Sequence, residues 1–222
     1  MCSSTLQTRD RVEGHAPWSA HIRMQIYSSG ISKATRVPPS SIDRSRLPRV
    51  KNVEDRRYGA GMVIVVFGVT GTGKTRVGSA LAEALGWVFI DADDFHEEAN
   101  LTKLNRGIPL NDEDRRPWLA HLRGLIQESL TQRRNAVLAC SALKRAYRRY
   151  LRVGPEVVFV YLRTETHVLE KRLKGRQDHF MNQALLQSQL EALEEPLDET
   201  LTVDTARSPA KIVGVIRDSL KL

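Results

Sequence analysis

Residues 68–75 have the types and the spacing needed to bind a triphosphate. They read GVTGTGKT and fit the pattern G-x-x-x-x-G-K-[ST]. Glycines at these positions let the backbone bend so that successive N–H groups face an anion. The ammonium of Lys74 would meet the β- and γ-phosphates, and the hydroxyl of Thr75 would ligate Mg²⁺. The predicted ATP-binding residues are Gly68, Val69, Thr70, Gly71, Thr72, Gly73, Lys74 and Thr75.

A second group of reactive side chains, Asp91, Asp93 and Asp94, follows the next apolar run. A kinase with this phosphate-binding loop needs one carboxylate for Mg²⁺ or its waters and another to orient the acceptor hydroxyl. Residues i and i+2 of an extended chain point the same way, so one D-x-D segment can supply both. We therefore assign Asp91 to the metal and Asp93 to the substrate hydroxyl as a catalytic residue. The alternative is an acidic turn that caps the next helix, which is the interpretation we favour for Asp94.

The segments that must position these residues alternate between short apolar runs and helical periodicity from residue 62 onward. Strands are predicted at residues 62–67, 87–90, 136–139, 157–162 and 201–203. Helices are predicted before Gly86, over the apolar stripe that begins at Trp118, and after the Ser208-Pro209 pair, with a polar stretch at 92–112. This order predicts an α/β fold with a parallel sheet flanked by helices. Ligands of such sheets bind beyond the carboxyl ends of the strands, where both groups above lie.

Composition excludes several classes of protein. The chain has 222 residues, a net charge of +8 and two cysteines, so neither a disulfide framework nor a four-cysteine zinc site is present. The longest apolar run, 62–67, is far shorter than the roughly 20 residues of a membrane span, which predicts no membrane partner. Residues 1–60 hold 11 of the 34 basic and 5 of the 26 acidic residues, so the basicity does not indicate a nucleic-acid-binding domain.

The chain is therefore divided into two parts. Residues 1–61 are predicted to be a disordered basic leader or an over-called start, with Met62 as the true initiator. Residues 62–222 are predicted to be the folded domain. A cytoplasmic location is expected, and because the leader is rich in Ser and Arg, organellar targeting stays open.

Several segments together resemble the gluconate kinase (gluconokinase) family, whose relatives include shikimate and nucleoside monophosphate kinases. The segments that carry the resemblance are GVTGTGKT (68–75), DADDFH (91–96), GIPLNDEDRRPWL (107–119), CSALKRAYRRYLR (140–152), GRQDHF (175–180) and SQLEALEEP (188–196). The resemblance implies phosphorylation of D-gluconate by ATP at the 6-hydroxyl, in sugar-acid catabolism that feeds the pentose phosphate pathway. It also implies a five-stranded P-loop fold with a mobile helical lid near 170–181, and a homodimer as a possible assembly.

Gluconate carries one carboxylate and several hydroxyls, so its site needs a cation and hydrogen-bonding groups. Arg115 is our first choice for the carboxylate, because a planar guanidinium suits bidentate pairing. Pairing of Arg115 with a neighbouring aspartate is the alternative. Lys144 and Arg148, four apart and predicted to share a helical face, are the other cations. Ser141 and His96 are expected to bind hydroxyls, although a histidine in this position is often only a capping group.

Two arginines, Arg172 and Arg176, lie four apart in the segment where the resemblance implies the lid. There they would bind the nucleotide phosphates, and Arg172, like Lys74, is expected to stabilise the transferring phosphoryl group. A basic solvated helix is the alternative. Residues 205–210 are expected to lie against the adenine. For the whole chain, the alternatives are a shikimate-kinase-like or other small-molecule kinase and, from a different class, a non-catalytic nucleotide-binding module.

Overall fold

A computed structural model describes residues 61–174, 183–196 and 200–222, without the side chains of 183 and 184. Its strands are β1 Val63–Phe67, β2 Val88–Asp91, β3 Ala136–Cys140, β4 Val157–Arg163 and β5 Leu201–Asp204. Its α-helices are α1 Lys74–Leu85, α2 Glu98–Asn105, α3 Asp112–Thr131, α4 Arg145–Leu151, α5 Thr166–Lys174, α6 Gln183–Ala192 and α7 Pro209–Leu220. A short 3₁₀ helix, Ala92–Phe95, follows β2.

The strands form one parallel sheet in the order β2-β3-β1-β4-β5. β1 lies at its centre, and Phe67 at the end of β1 pairs with Cys140 at the end of β3. Asp91 at the end of β2 pairs with Ala139. The carboxyl ends of these three strands therefore lie at one edge of the sheet, and the predicted five-stranded parallel fold is confirmed.

The apolar strands are explained by the burial of both faces of the sheet. Alternate residues of β1 contribute to two separate cores: Val63, Val65 and Phe67 face the side of α3 and α4, and Ile64 and Val66 face the side of α1 and α7. Successive side chains of a strand point to opposite faces, so a strand covered by helices on both sides has no polar position.

The structure confirms the predicted strands to within one residue at each end and corrects the account of the polar stretch 92–112. That stretch contains the 3₁₀ helix and α2. Apolar periodicity does not predict α2, because this helix has no buried apolar stripe; the residue that it buries is the polar Asn100. The predicted limits of the first helix are confirmed, since α1 ends at Gly86, which has a φ of 66°.

The proposed division of the chain at residue 61 stays a prediction, because residues 1–60 lie outside the described residues. Within the described ranges, no helix combines the length and the apolar character required to cross a membrane.

Candidate active site

The phosphate-binding loop connects the central strand β1 to α1. Gly73 is the residue before the helix and has a φ of 94°, a left-handed conformation that favours glycine. A Cβ at Gly68 would lie 2.9 Å from the backbone oxygen of Leu162, so the loop must pass close to β4. The N-terminus of α1 therefore opens at the carboxyl edge of the sheet, where its N–H groups and dipole favour an anion.

The side chains of Lys74 and Thr72 both bond to the loop itself. The ammonium of Lys74 donates to the backbone oxygen of Val69 at 3.1 Å, and the hydroxyl of Thr72 donates to the same oxygen at 2.9 Å. Thr72 is buried, so its hydroxyl shapes the loop rather than facing a ligand. Lys74 has three donors and can keep this bond while it binds phosphate.

Thr75 and Asp91 lie side by side at the end of β2. The hydroxyl of Thr75 donates to Asp91 Oδ2 at 2.8 Å, and the backbone N–H of Asp93 donates to Asp91 Oδ1 at 3.1 Å. No cluster of three or more histidine, cysteine or acidic residues suited to a metal occurs in the described part of the chain. Mg²⁺ in phosphoryl-transfer sites takes one or two carboxylates, phosphates and water, so a hydroxyl beside one carboxylate fits this ion.

The structure corrects the geometry expected for the two aspartates. Asp91 ends β2, but Asp93 lies in the first turn of the 3₁₀ helix, so the two are not successive same-side residues of an extended strand. They stay close because the carboxylate of Asp91 caps this turn. The exposed side chain of Asp93 therefore starts from a fixed backbone position at the edge of the site.

Cys140 ends β3, the strand that lies between β2 and β1, and its thiol is buried. Burial above all raises the pKa of this thiol to about 12, and the charges of Asp93, Lys74 and Asp91 make smaller contributions. Cys140 is 1% exposed, which confirms its predicted role as a small packed side chain.

Trp118 of α3 holds the acidic turn in place. Its indole N–H donates to the backbone oxygen of Ala92 at 2.8 Å, and its side chain is 2% exposed. Its predicted core position is confirmed. Sequence reasoning missed the hydrogen bond to the turn, and no spacing in the chain could have revealed a bond between residues 26 apart.

His96 stacks on this tryptophan, with the ring centroids 4.6 Å apart and the planes at 12°. Burial, and then the positive charge of Arg115, lower the pKa of His96 from 6.5 to about 4. The imidazole is therefore neutral at pH 7. Its Nδ1 is buried and has no hydrogen-bond partner among the described residues.

Arg115 lies in the first turns of α3, between two aspartates that pair with lysines. Asp112 accepts from Lys144 Nζ at 2.7 Å, and Asp114 accepts from Lys103 Nζ at 2.6 Å. The alternative pairing of Arg115 with either aspartate is therefore not what the structure shows. No carboxylate of a described residue lies within ion-pair distance of Arg115, and its guanidinium lies 6.0 Å from the ring centroid of Tyr147.

The expected shared face of Lys144 and Arg148 is wrong. Lys144 precedes α4 as its N-cap residue, so it lies outside the helix. Its bond to Asp112 raises the pKa of its ammonium. Arg148 is 7% exposed, and its guanidinium donates to the backbone oxygens of Ala142, Leu143 and Glu194.

Ser141 is half-buried in the loop that directly follows β3. The next residue, Ala142, has a φ of 38° and is held by Arg148. The position of Ser141 at the carboxyl edge of the sheet is therefore fixed by its neighbours.

Arg172 of α5 contacts the outer side of the phosphate-binding loop. Its guanidinium donates to the backbone oxygen of Gly71 at 3.2 Å and to that of Thr205 at 2.9 Å. Arg172 therefore links the loop to the segment after β5, whose residues 205–210 are expected to lie against the adenine. Arg176 and the rest of the predicted lid, 175–181, lie outside the described residues.

Comparison with known proteins identifies the family. The family model described as an AAA domain matches residues 63–196. The "probable gluconokinase" of Xenopus tropicalis is 42% identical over 173 residues, which cover 70% of this chain and 91% of that protein. The "thermoresistant gluconokinase" of Escherichia coli K12 is 42% identical over 164 residues, which cover 72% and 92%.

Solved structures of similar sequence support the same family. A gluconokinase from Sinorhizobium meliloti is 42% identical with a TM-score of 0.63, and the match covers 73% of this chain and 96% of that one. A sugar kinase from Janibacter is 38% identical with a TM-score of 0.68, and the match covers 72% and 95%. An APS kinase from Mycobacterium tuberculosis is 17% identical with a TM-score of 0.54 over 73% of this chain and 99% of that one, a likeness of fold alone.

Proposed function

The chain belongs to the gluconokinase family, and we propose that the carboxyl edge of its sheet carries out the ATP-dependent phosphorylation of D-gluconate to 6-phospho-D-gluconate. The observation that carries this proposal is the contact between the phosphate-binding loop and the acidic turn: Thr75 at the start of α1 donates to Asp91 at the end of β2, and Asp91 in turn accepts from the backbone of Asp93. A phosphoryl donor and an acceptor alcohol could meet there, because the ends of β1, β2 and β3 share one edge.

ATP would bind with its phosphates over residues 68–75 and its base towards Arg172. Backbone N–H groups at the start of α1 and the ammonium of Lys74 would bind the β- and γ-phosphates. Arg172 is fixed between Gly71 and Thr205, so we assign it to the nucleotide side of the site. We also propose that Arg172 and Arg176 stabilise the phosphoryl group during its transfer.

Mg²⁺ would be held by the Thr75 hydroxyl and, directly or through water, by Asp91. The two groups are already 2.8 Å apart. When bound, the ion would neutralise charge on the phosphate oxygens.

Gluconate would bind on the side of α3. Arg115 would pair with the carboxylate, and the neutral imidazole of His96 and the hydroxyl of Ser141 would bond to hydroxyls of the sugar acid. Lys144 would add positive charge near the carboxylate while held by Asp112. We assign to Arg148 the indirect role of fixing the loop that carries Ser141, because its donors are bonded to backbone oxygens.

In the chemical step, the protein would orient the reactants and stabilise the developing negative charge, without forming a covalent intermediate. Asp93 would orient the 6-hydroxyl for in-line attack and accept its proton. Lys74 would stabilise the negative charge that spreads over the phosphoryl oxygens. Holding the two reactants in line supplies a large part of the rate enhancement in such enzymes.

A coupled assay of ADP release tests this function. The purified full-length chain should release ADP from ATP with gluconate, and much more slowly with shikimate or nucleoside monophosphates. Lys74→Ala should reduce gluconate-dependent release by a factor of about 10³ or more, since it removes the charge at the β- and γ-phosphates. Preference for shikimate would support the other small-molecule kinase, and ATP binding without acceptor-dependent release would support a nucleotide-binding module.

We propose that gluconate and ATP are the small-molecule partners of this protein. A homodimer and a cytoplasmic location stay predictions.

A further inference from the structure

One side chain of α6 bonds to the backbone of the phosphate-binding loop. Gln189 Oε1 accepts the N–H of Thr70 at 2.7 Å, across 119 residues of sequence. Thr70 is 8% exposed and Gln189 is half-buried, so this bond is partly shielded from water. The proposed mechanism gives Gln189 no role.

The peptide between Val69 and Thr70 joins Gln189 to Lys74. Its N–H faces Gln189, and its C=O accepts from the ammonium of Lys74 at 3.1 Å and from the hydroxyl of Thr72 at 2.9 Å. The two ends of a trans peptide point in opposite directions, and the described residues contain no cis peptide. Hydrogen bonds in such a chain polarise one another, so an acceptor at the N–H makes the C=O a better acceptor for Lys74.

The position of Gln189 is set by the packing of its helix. Leu185 and Leu186, one turn earlier on α6, are each 2% exposed. Leu186 packs with Val69 of the loop, Leu143 and Leu169. Residues three and four apart lie on the same helical face, so the apolar face that anchors α6 also directs Gln189 at the loop.

We propose that Gln189 is a positioning residue for phosphate binding, acting on Lys74 through the peptide between Val69 and Thr70. The amide oxygen of Gln189 keeps the N–H of Thr70 away from the phosphates and orients the opposite C=O towards the ammonium. The groups left to meet the triphosphate are Lys74 and the N–H groups nearer the start of α1. This inference rests on the proposed function, since it takes ATP to be the ligand of the loop.

Gln189→Met tests the proposal, because methionine has nearly the same length and lacks the oxygen acceptor. A loss of one partly shielded hydrogen bond should raise the Kd for ATP about three- to tenfold in a direct titration without gluconate. Gln187→Met is the matched control: Gln187 lies on the same helix, is exposed, and bonds only to Glu191 in the described structure. It should bind ATP like the parent.

In steady-state assays, Gln189→Met should raise KM for ATP and leave KM for gluconate within about twofold, a split that general loosening of the fold would not give. If Gln189→Met does not fold, Gln189→Asn, whose oxygen is too short to reach Thr70, should show the same split.

Two results would overturn the proposal: parent-like ATP affinity in Gln189→Met, or equal rises in both KM values. Failure of the proposed function would be distinct, because the parent would then bind ATP without gluconate-dependent ADP release. The titration of the Gln189 variants would still decide the positioning role in that case.

Discussion

At the scale of single residues, the site depends on side chains that are already held before any ligand arrives. Thr75 is bonded to Asp91, and Trp118 is bonded to Ala92 and stacked on His96. Such bonds fix rotamers in advance, so binding costs less conformational entropy. The residues proposed to act directly on the substrate can therefore be tested one at a time with little change to the fold.

Asp93→Asn should separate catalysis from binding. The amide keeps the size of the carboxylate but cannot accept the proton of the 6-hydroxyl, so kcat should fall by a factor of about 10² to 10⁴. The Kd for ATP should stay within about twofold, because Asp93 is not assigned to the nucleotide. Asp94→Asn, at the adjacent exposed residue, is the control and should keep parental kcat. An unaltered kcat in Asp93→Asn would place the base elsewhere.

His96 should make the stability of the protein depend on pH. Its pKa is about 4 in the folded chain and 6.5 for an unperturbed histidine, so between these values the unfolded chain binds a proton that the folded chain does not. Stability should therefore fall as pH decreases from about 6.5 towards about 4. The drop in Tm between pH 7 and pH 5 should be smaller for His96→Phe, which keeps an aromatic ring against Trp118. An equal drop in both proteins would contradict the assignment.

At the scale of elements, some side chains link separate segments of the chain by donating hydrogen bonds to backbone oxygens of another segment. Arg148 of α4 bonds to the loop after β3 and to Glu194, which follows α6. Its guanidinium also lies 5.0 Å from the ring centroid of Phe67 at the end of β1. The Arg148 guanidinium therefore contacts three parts of the chain: the loop after β3, the segment after α6 and the end of β1.

Arg148→Met should destabilise the protein without changing its recognition of gluconate. It removes the guanidinium donors to three backbone oxygens, of which that of Leu143 keeps the N–H of Glu194, and a loss of about 2–4 kcal/mol is expected on that basis. Arg149→Met, at the next and exposed residue of α4, should change stability by less than about 0.5 kcal/mol. Chemical denaturation measures both variants. A raised KM for gluconate with parental stability would instead restore Arg148 as a direct substrate ligand.

At the scale of the whole molecule, the proposed site is assembled at one edge of one sheet. The phosphate-binding loop follows β1, the acidic turn follows β2, and Ser141 follows β3. Parallel pairing in the order β2-β3-β1 brings these segments together although they are far apart in the chain. Every residue proposed to act on ATP or gluconate lies after residue 62.

A chain that begins at Met62 should therefore keep kcat and both KM values within about twofold of the full-length protein. The backbone N–H of Met62 donates to Asn135 Oδ1 at 2.8 Å, and a terminal ammonium at that position would still be a donor. The coupled ADP-release assay measures this directly. Loss of turnover with an intact fold, as judged by circular dichroism, would show that the first 61 residues contribute to function.

The sequence by itself determined the phosphate-binding loop, the alternating strands and helices, and the family. These features are local: a strand, a glycine-rich turn and a helix start are encoded by adjacent residues, and apolar periodicity marks what is buried. It could not show that Asp112 and Asp114 pair with lysines, that Arg148 bonds to backbone oxygens, or that Gln189 meets Thr70. Those partners lie between 5 and 119 residues apart, and only the packing of helices on the sheet decides which of several possible donors and acceptors meet.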